Sequence, residues 1–551
     1  MAPFGSPPTD DAREVFYRVT GTPFNAEPPP VTSARGMESW ASEFDFDDEM
    51  GGDAVGGRVR GLTLKASRID AHLDPVSALG YQEWTCVFDN RSDRQREARM
   101  QVLLPPGGAV TRLTLWVHGE PEEAAFAATP QVKQAYKSIV FERRDPVLVT
   151  DCGPDRVFVQ CFPVPPKGEM KIRLGITAPL AGGATLALPQ IIERNFADGE
   201  PDAAVWAQSD APLAEAGGMK PLPAPEGGFA QQGGGVASVA LRDPVAPAGT
   251  AWAEDPFAPD AERIVVGHRA VEARPPARRI AFAVDTSAAM RGKLAAVAEA
   301  IAALPDSCEV SAHLATDGGE AESASGKDAA AKLVRAASAK GGRDNAPALA
   351  AALQAAGGDP EAAIIWVHGP QGVDLGGMEA ASQIIERLPI RAAIYDAQIA
   401  PGPDRLLAAL AAAARVRPAP VAGAEALEGF AGQVAAGLPD RRWTWERRAA
   451  ADGLPPEQKT NDQLARYAAF DEIHHAAPDT GGLAERAASY QLVTPYSGAV
   501  VLETKAQFAQ NQLEQVDPTA TPKIPAVPEP GGATLVLAWF TLWALRRRRA
   551  A

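Results

Sequence analysis

The hydrophobic pattern of the chain changes near Arg279, and this change limits the folds open to it. Between residues 60 and 180, short runs alternate apolar and polar residues or are rich in β-branched and aromatic residues, and turn-forming residues separate them. One helix, Pro130–Arg143, lies among them with a single apolar face. The predicted strands are Val59–Ser67, Tyr81–Asp89, Arg99–Leu104, Thr111–His118, Val157–Phe162 and Met170–Ile176. This pattern predicts an antiparallel β-sandwich or barrel-like domain over residues 60–180.

From residue 279 to residue 439, short apolar strands alternate with Ala- and Leu-rich helical stretches. The predicted strands are Ile280–Asp285, Glu309–Ala315, Ala363–His368 and Arg391–Asp396. The predicted helices are Gly292–Leu304, Asp328–Ala339, Pro347–Ala356, Glu379–Leu388 and Asp404–Arg415. Such alternation indicates βαβ units, so we predict a doubly wound α/β domain with a mostly parallel sheet covered on both faces.

The remaining segments complete a multidomain α+β chain. Residues 1–59 are Pro-rich and then acidic without nearby basic residues, which predicts a disordered segment. Residues 181–278 hold Gly and Pro clusters and are interpreted as an irregular interdomain region. Residues 440–504 contain a helix (Asn461–His475) and a strand-like stretch (Tyr490–Glu503). We expect a polar linker at 505–526 and a separate tail at 527–551.

Composition and missing signatures exclude several functions. Acidic residues outnumber basic ones by 69 to 53, and the diffuse net charge of −16 argues against a nucleic-acid partner. The four cysteines have neither disulfide-scaffold density nor zinc-site spacing, and the positions of Cys152 and Cys161 predict free thiols. No G-x-S-x-G, P-loop or H-E-x-x-H motif occurs, so the sequence predicts neither a cofactor nor a catalytic centre.

Two motifs in the β-rich part carry a family resemblance. The stretch QAYKSIVFERRDPVL begins at Gln134, and FVQCFPVPP follows at Phe158–Pro166. Together they resemble the VIT domain, the vault and inter-α-trypsin module, over about residues 60–180. This resemblance implies an interaction or structural module without catalysis. Arg143, Arg144 and Asp145 are more simply interpreted as a turn ion pair than as a binding site.

The α/β part resembles the von Willebrand factor A domain, a family that binds a divalent cation at the carboxyl ends of its strands. The first strand leads into Asp-Thr-Ser-Ala-Ala, in which Asp285 and Ser287 match the family's D-x-S-x-S motif and Ala289 replaces its last Ser. Arg343 stands where the family's Gly-Gly-Thr loop has Thr, and His368 stands where a later strand ends in Asp. After this domain, Tyr490–Ser497 resembles the element that follows the A domain in VIT-containing proteins.

These replacements decide the expected chemistry of the site. Mg²⁺ requires about six oxygen ligands, and this loop set lacks two hydroxyls and one carboxylate. We therefore predict a degenerate site without metal, in which Asp285 is held by hydrogen bonds or pairs with Arg343. A less favoured alternative is a hydrolase that uses Ser287, with His368 as its base. His474 and His475 are interpreted as a solvated helix end.

The C-terminus combines three signals in order. Val527-Pro528-Glu529-Pro530 is followed by Gly-Gly, an apolar run and the basic cluster Arg546-Arg547-Arg548-Arg549. This tail resembles the PEP-CTERM sorting signal of bacterial exosortase substrates. The apolar run is interpreted as a short transmembrane helix of about 20 Å. The anchoring residues are Ala533, Leu535, Leu537, Trp539, Phe540, Leu542, Trp543 and Leu545.

Taken together, these features predict a non-enzymatic bacterial envelope protein that mediates protein–protein or matrix interactions. Its expected partner is an unknown surface or matrix protein. The tail resemblance implies cleavage by an exosortase near Val527–Pro530, with the four arginines cytoplasmic and the body outside the inner membrane, then at the cell surface or extracellular. No export signal is visible at Met1, so we expect a start or a membrane segment further upstream. The alternative is the C-terminal part of an integral membrane protein whose upstream helices are missing.

Overall fold

The structure of the protein is a computed structural model. It describes residues 9–26, 47, 50–141, 146–198, 204–224, 228–272, 274–317, 319–376, 392–411, 416–419, 423–438, 440–477, 480–517 and 524. Within them the α-helices are α1 (Thr9–Thr20), α2 (Thr129–Phe141), α3 (Leu294–Ala302), α4 (Lys327–Ala336), α5 (Ala346–Ala356), α6 (Arg405–Ala411), α7 (Leu427–Ala436), α8 (Gln463–His475), α9 (Leu483–Ser489) and α10 (Lys505–Gln510).

The strands before residue 241 are β1 (Leu62–Asp74), β2 (Leu79–Asn90), β3 (Arg96–Leu103), β4 (Ala109–Val117), β5 (Glu120–Glu123), β6 (Ala125–Ala128), β7 (Val147–Gly153), β8 (Arg156–Val164), β9 (Gly168–Pro179), β10 (Thr185–Ala187), β11 (Gln190–Arg194), β12 (Ala197–Asp198), β13 (Ala204–Ser209), β14 (Met219–Pro223), β15 (Phe229–Gly233) and β16 (Ser238–Ala240). The later strands are β17 (Gly249–Glu254), β18 (Ile264–Glu272), β19 (Arg279–Val284), β20 (Glu309–Leu314), β21 (Glu322–Ser325), β22 (Ala362–His368), β23 (Ala393–Gln398), β24 (Val416–Pro418), β25 (Asp440–Arg448), β26 (Gln458–Lys459) and β27 (Ser497–Val501).

The first large unit is a β-sandwich. One sheet has the order β14-β15-β13-β1-β2-β9-β4-β5, with β12 beside β1, and the other has the order β11-β3-β8-β7-β27-β6. Residues of both sheets, among them Trp84, Met100, Val159 and Ile172, share one buried core. Because alternate residues of a strand point to the same face, the period of two in the sequence correctly predicts this layer.

The predicted interdomain region at 181–278 is more ordered than expected. β13, β14 and β15 extend the first sheet, and β11 pairs with β3 at the edge of the second. β17 and β18 belong instead to a separate sheet with the order β25-β18-β17-β26. Pro221 and Pro223 lie within β14, and Gly233 ends β15. Apart from β18, the strands of this region have two to six residues, which is too short to show periodicity.

The chain returns to the sandwich after residue 490. β27 lies between β6 and β7 and pairs antiparallel with both, so the strand-like stretch predicted there is a central strand. Part of the predicted 505–526 linker is also ordered, since Thr504 and Gln507 form a capping box at the start of α10. Phe508 of α10 is buried with Tyr136 of α2 and Val500 of β27.

The second large unit is a doubly wound sheet with the order β21-β20-β19-β22-β23-β24, parallel except for the β20–β21 pair. On one face, α3, α4 and α7 contribute Val297, Val334 and Phe430 to a buried cluster. On the other face, α5 and α6 contribute Leu349 and Leu406. The α/β prediction is therefore correct in kind, while the predicted helix Glu379–Leu388 lies outside the described residues.

Among the first 59 residues, those that the structure describes (9–26, 47 and 50–59) differ from the disordered segment that we predicted. α1 is a helix of 12 residues, and its Tyr17 side chain is fully buried. The Asp47 carboxylate lies 2.5 Å from the guanidinium of Arg99, which also holds Glu97 at 2.7 Å and donates to the carbonyl of Val55. Asp47 has no basic neighbour in sequence, but folding brings Arg99 of β3 to it.

The proposed sorting tail, 527–551, lies outside the described residues, as do Arg143, Arg144 and Asp145. Within the described part of the chain, no helix is both long and apolar enough to cross a membrane. All four cysteines are free, as predicted for Cys152 and Cys161.

Candidate functional site

The carboxyl ends of β19, β22 and β23 bring the predicted site residues to one edge of the parallel sheet. Asp285 directly follows β19, His368 ends β22, and Asp396 lies in β23. Parallel strands run in register, so their ends meet where doubly wound sheets bind ligands. Asp285, Ser287 and His368 are all fully buried there.

Asp285 is held by hydrogen bonds, one of the two arrangements expected from the sequence. Its carboxylate accepts from the Ser287 amide at 2.7 Å, from Ser287 Oγ at 2.6 Å and from the Gly369 amide at 3.1 Å. Burial raises the pKa of Asp285, while these donors oppose the rise. Both carboxylate oxygens are therefore already used within the protein.

Arg343 does not pair with Asp285, and this alternative is wrong. Its guanidinium pairs instead with Asp317, an exposed residue after β20. Asp285 is buried, and both of its carboxylate oxygens already accept hydrogen bonds from neutral donors. Moving the Arg343 guanidinium there would therefore cost desolvation energy.

His368 lies between two carboxylates that the sequence analysis did not connect with it. Its Nε2 is 2.6 Å from Asp396 Oδ1, and its Nδ1 is 3.1 Å from Asp404 Oδ2 and 2.9 Å from the Gly369 carbonyl. Burial lowers the pKa of His368, but Asp396 and Asp404 outweigh that effect and raise the pKa to about 10. At neutral pH the site therefore contains a buried imidazolium, stacked 3.9 Å from the ring of Trp366.

This set of residues does not suit a divalent cation. The metal motif that these loops resemble in sequence needs oxygen ligands, but Ala289 offers a methyl group, and Arg343 and His368 carry positive charges at two further positions of that motif. Burial raises the pKa of Asp285, and the nearby charge of His368 only partly opposes that rise. Among the described residues, no group of three or more His, Cys, Asp or Glu side chains has an arrangement that could hold a metal.

The hydrolase alternative is not supported by the geometry. Ser287 Oγ donates to Asp285, whereas the ring nitrogens of His368 contact Asp396, Asp404 and Gly369. A base must accept the proton of the nucleophile, and a protonated imidazole between two carboxylates cannot do so. His474 and His475 are exposed at the end of α8, as predicted.

Several residues that close the site were not predicted from the sequence. Asp396 ends a predicted strand, and Asp404 begins a predicted helix. Because the carboxyl ends of parallel strands lie together, the position of Asp396 could have indicated that it lies near His368. Asn345 and Gln371 are fully buried and join two loops, since the Asn345 amide and Nδ2 both donate to Gln371 Oε1, at 3.0 and 3.1 Å. Tyr17 arrives from α1, and nothing in the local sequence of α1 indicates that contact.

Comparisons with known proteins agree with part of this description. Residues 68–176 match the family model of the Vault protein inter-alpha-trypsin domain, VIT, which indicates a protein-interaction module. Among solved structures, the chain is similar to a von Willebrand factor type A protein from Catenulispora acidiphila, with 21% identity over 31% of this chain and 44% of that one, and a TM-score of 0.24. It is also similar to the ArnB paralog VWA2 from Sulfolobus acidocaldarius, with 12% identity over 33% of this chain and 53% of that one, and a TM-score of 0.22. No curated protein matches the chain.

The extent of these matches limits what they show. The VIT match covers residues 68–176, which contribute strands to both sheets of the sandwich. The chain covers about half the length of each of the two similar structures. Scores this low do not bear on function. Residues 68–176, within the sandwich, match the VIT domain family. The fold of the parallel sheet follows from its strand order.

Proposed function

We propose that this chain is a non-enzymatic interaction protein of the bacterial cell envelope. The observation that carries the non-enzymatic part is the closed strand-end site, where Ser287 and His368 are bonded to carboxylates rather than to each other. The VIT match over residues 68–176 supports an interaction role. Its partner would be another surface or matrix protein.

The envelope location is proposed from the tail. Val527–Pro530, the apolar run 533–545 and the arginines at 546–549 occur in the order of an exosortase sorting signal. The prolines restrict the backbone before the apolar run, so the Pro-Glu-Pro segment would stay extended and accessible to a membrane protease. Four arginines would keep the far end cytoplasmic.

A chain tagged at both ends tests the sorting proposal. In cells that contain an exosortase, the tag on the body and the tag after Arg549 should separate, and the body should reach the cell surface. In cells without the enzyme the two tags should stay joined. A body that remains in the cytosol of both strains would contradict the proposal.

The same cells test the interaction role. Surface-displayed body should hold cells or matrix together, and the Ser287→Ala change should leave that retention unaltered, because the hydroxyl serves only Asp285. A loss of retention with Ser287→Ala in a chain that keeps its melting temperature would point to chemistry at the site instead.

A further inference from the structure

An open cavity lies beside the strand-end site, between the start of α3 and the segment that follows α4. Its volume is about 420 Å³, and its lining includes Arg291 and Leu294 from the first segment and Ser338 and Lys340 from the second. A cavity of this size is typical of sites that take a small molecule or a few side chains of a partner.

The walls of this cavity are held in place by the fold. The Lys340 amide donates to the Thr286 carbonyl at 3.1 Å. The Ala288 amide donates to the Gly341 carbonyl at 2.7 Å, so the loops after β19 and after α4 are bonded to each other. Behind them, α3 and α4 contribute to one buried cluster. The cavity is therefore a preformed feature of the α/β unit.

The strand-end site next to the cavity is closed. Tyr17 of α1 is fully buried, and its hydroxyl donates to the Pro370 carbonyl at 2.7 Å. Both carboxylate oxygens of Asp285 already accept hydrogen bonds from the protein. A partner of this face would therefore bind at the neighbouring cavity rather than at the buried carboxylates.

The two segments that form the cavity carry only positive charges. Neither residues 286–298 nor residues 329–343 contain an Asp or a Glu. The chain as a whole is acidic, with a net charge of −16, so composition does not explain this local excess of basic residues. The basic residues of the two segments are Arg291, Lys293, Lys332, Arg335, Lys340 and Arg343.

The two cations that line the cavity are not neutralised by the chain. Among the described residues, neither Arg291 nor Lys340 forms an ion pair. By contrast, Arg343 pairs with Asp317, and the Lys293 ammonium donates to the Ala289 carbonyl at 3.0 Å. Two unpaired cations at one cavity attract a negatively charged ligand.

The rest of the lining favours one kind of anion. Among the described residues it consists of Leu294, Ser338, glycine and alanine, so it is mostly apolar and has no aromatic ring. A free phosphate would find few hydrogen-bond donors there, and a nucleic acid would need a longer basic track or aromatic rings for stacking. A peptide with carboxylates next to short apolar side chains matches both the cations and the apolar walls.

We propose that this cavity binds an acidic segment of a partner protein. The Asp or Glu carboxylates of that segment pair with Arg291 and Lys340, while its small apolar side chains contact the cavity walls. The proposal rests on the proposed interaction function, since it names the chemistry of the partner and the surface that the partner contacts. Exposed ion pairs are screened by salt, so binding weakens as the ionic strength rises.

The test uses the purified full chain and a labelled synthetic peptide of alternating glutamate and alanine residues. Arg291→Gln and Lys340→Gln should each weaken binding about two- to five-fold, as expected for exposed ion pairs, and Lys340→Arg should preserve it. Ala295→Trp, which fills the cavity without changing its charge, should also weaken binding. Lys332→Gln is the matched control, because Lys332 is an exposed lysine of α4 outside the cavity, and it should bind as the wild type does. Fluorescence anisotropy measures the binding.

Two kinds of result would overturn the proposal. Equal weakening by Lys332→Gln and Lys340→Gln would show a general effect of charge, and unchanged binding by Ala295→Trp would show that the peptide lies outside the cavity. Displacement of the peptide by inorganic phosphate or by a single-stranded DNA oligonucleotide, beyond the effect of chloride at the same ionic strength, would assign the cavity to another ligand.

Failure of this proposal can be told apart from failure of the proposed interaction function. If surface-displayed body retains cells or matrix while the wild-type chain does not bind the peptide, the cavity proposal is wrong and the interaction function stands. If the wild-type body retains neither, the interaction function is wrong, and the peptide experiment still decides whether the cavity binds an acidic segment.

Discussion

At the scale of single residues, His368 supplies the positive charge that faces two buried carboxylates. Its imidazolium places one positive charge beside Asp396 and Asp404, and burial shields the three groups from water. Because this cation is a side chain of the protein, the site does not have to open to take up an ion from solvent. The polar site can therefore stay closed, and its charges hold the loops after β22 and β23 together.

The charge on His368 makes stability depend on pH. Its pKa is raised from 6.5 to about 10 in the folded chain, so its stabilising contribution is complete below about pH 6.5 and is lost as the pH rises towards and through 10. His368→Gln should lower the unfolding free energy at pH 7 by about 3 kcal/mol, since it leaves buried carboxylates without their partner. Urea unfolding at pH 7 and pH 10 measures this, with a smaller difference between the two chains at pH 10.

His475→Gln is the matched control for that experiment. His475 also has a raised pKa, to about 9, from its hydrogen bond with Asp471, but its side chain is 72% exposed. An exposed pair contributes about 0–1 kcal/mol, so this variant should change little at either pH. Equal effects of the two changes would show that His368 is not a buried imidazolium.

The same residues predict the response to metals. We expect that neither Mg²⁺ nor Mn²⁺ binds, so adding either ion or a chelator should leave the melting temperature unchanged. An ion that bound the native state would raise the melting temperature. The double change Ala289→Ser with Arg343→Thr should restore two hydroxyls yet give at most weak binding, because His368 still supplies a cation where a carboxylate is needed. A clear metal-dependent rise in the wild type would contradict this account of the site.

At the scale of elements, β27 shows how a strand far along the chain completes the first unit. Gly498 allows it to approach its neighbours closely, because an added Cβ there would lie 2.7 Å from Val132 Cγ2 and 2.9 Å from the Val149 carbonyl oxygen. α2 packs over this strand through a cluster that contains Tyr136 and Val500. The position of the glycine therefore sets the spacing between helix and sheet.

Gly498→Ala should destabilise the chain by about 1–3 kcal/mol, the usual cost of extra volume in a packed core. Gly432→Ala, in α7 with no atom within 4 Å of the added Cβ, should instead be neutral or stabilise by up to about 1 kcal/mol. Thermal unfolding of both variants makes the comparison. A loss of stability in Gly432→Ala equal to that in Gly498→Ala would remove the packing explanation.

At the scale of the whole molecule, strands of the sandwich come both before and after the parallel sheet in the chain. The strands β1–β16 come first, the parallel sheet follows, and β27 then returns to pair with β6 and β7. The two units also touch directly, since Arg156 of β8 donates to Gln398 of β23 at 2.9 Å. We therefore expect that the VIT-matched region does not fold stably without β27.

A chain ending at residue 489 tests that conclusion. It lacks β27, which leaves the facing edges of β6 and β7 unpaired and removes the buried side chains of Val500 and Val501, each worth about 1.5–3 kcal/mol when buried. Together with the lost strand pairing, this approaches the whole stability of a typical domain. The truncated chain should lose cooperative unfolding and resist proteolysis poorly, while a chain ending at residue 517 should behave as the full chain does.

Much of the fold was predictable, but little of the site was. The helix and strand types between 60 and 180 and between 279 and 439 follow from periods of two and 3.6, because burial of one face selects them directly. The hydrogen bonds of Asp285 were also expected. Arg343 was misjudged because Asp317, its actual partner, lies 26 residues away and only folding brings the two together.

The sequence alone determined most strands and helices within residues 60–180 and 279–439, and it predicted that Cys152 and Cys161 stay apart. Only the tertiary structure decided that residues 181–278 complete two sheets, that β27 closes the sandwich, that His368 lies between Asp396 and Asp404, and that Tyr17 covers them. The physical reason is one of range. Periodicity and turn chemistry act between neighbours along the chain, whereas pairing of buried charges and closure of a sheet depend on residues that meet only after folding.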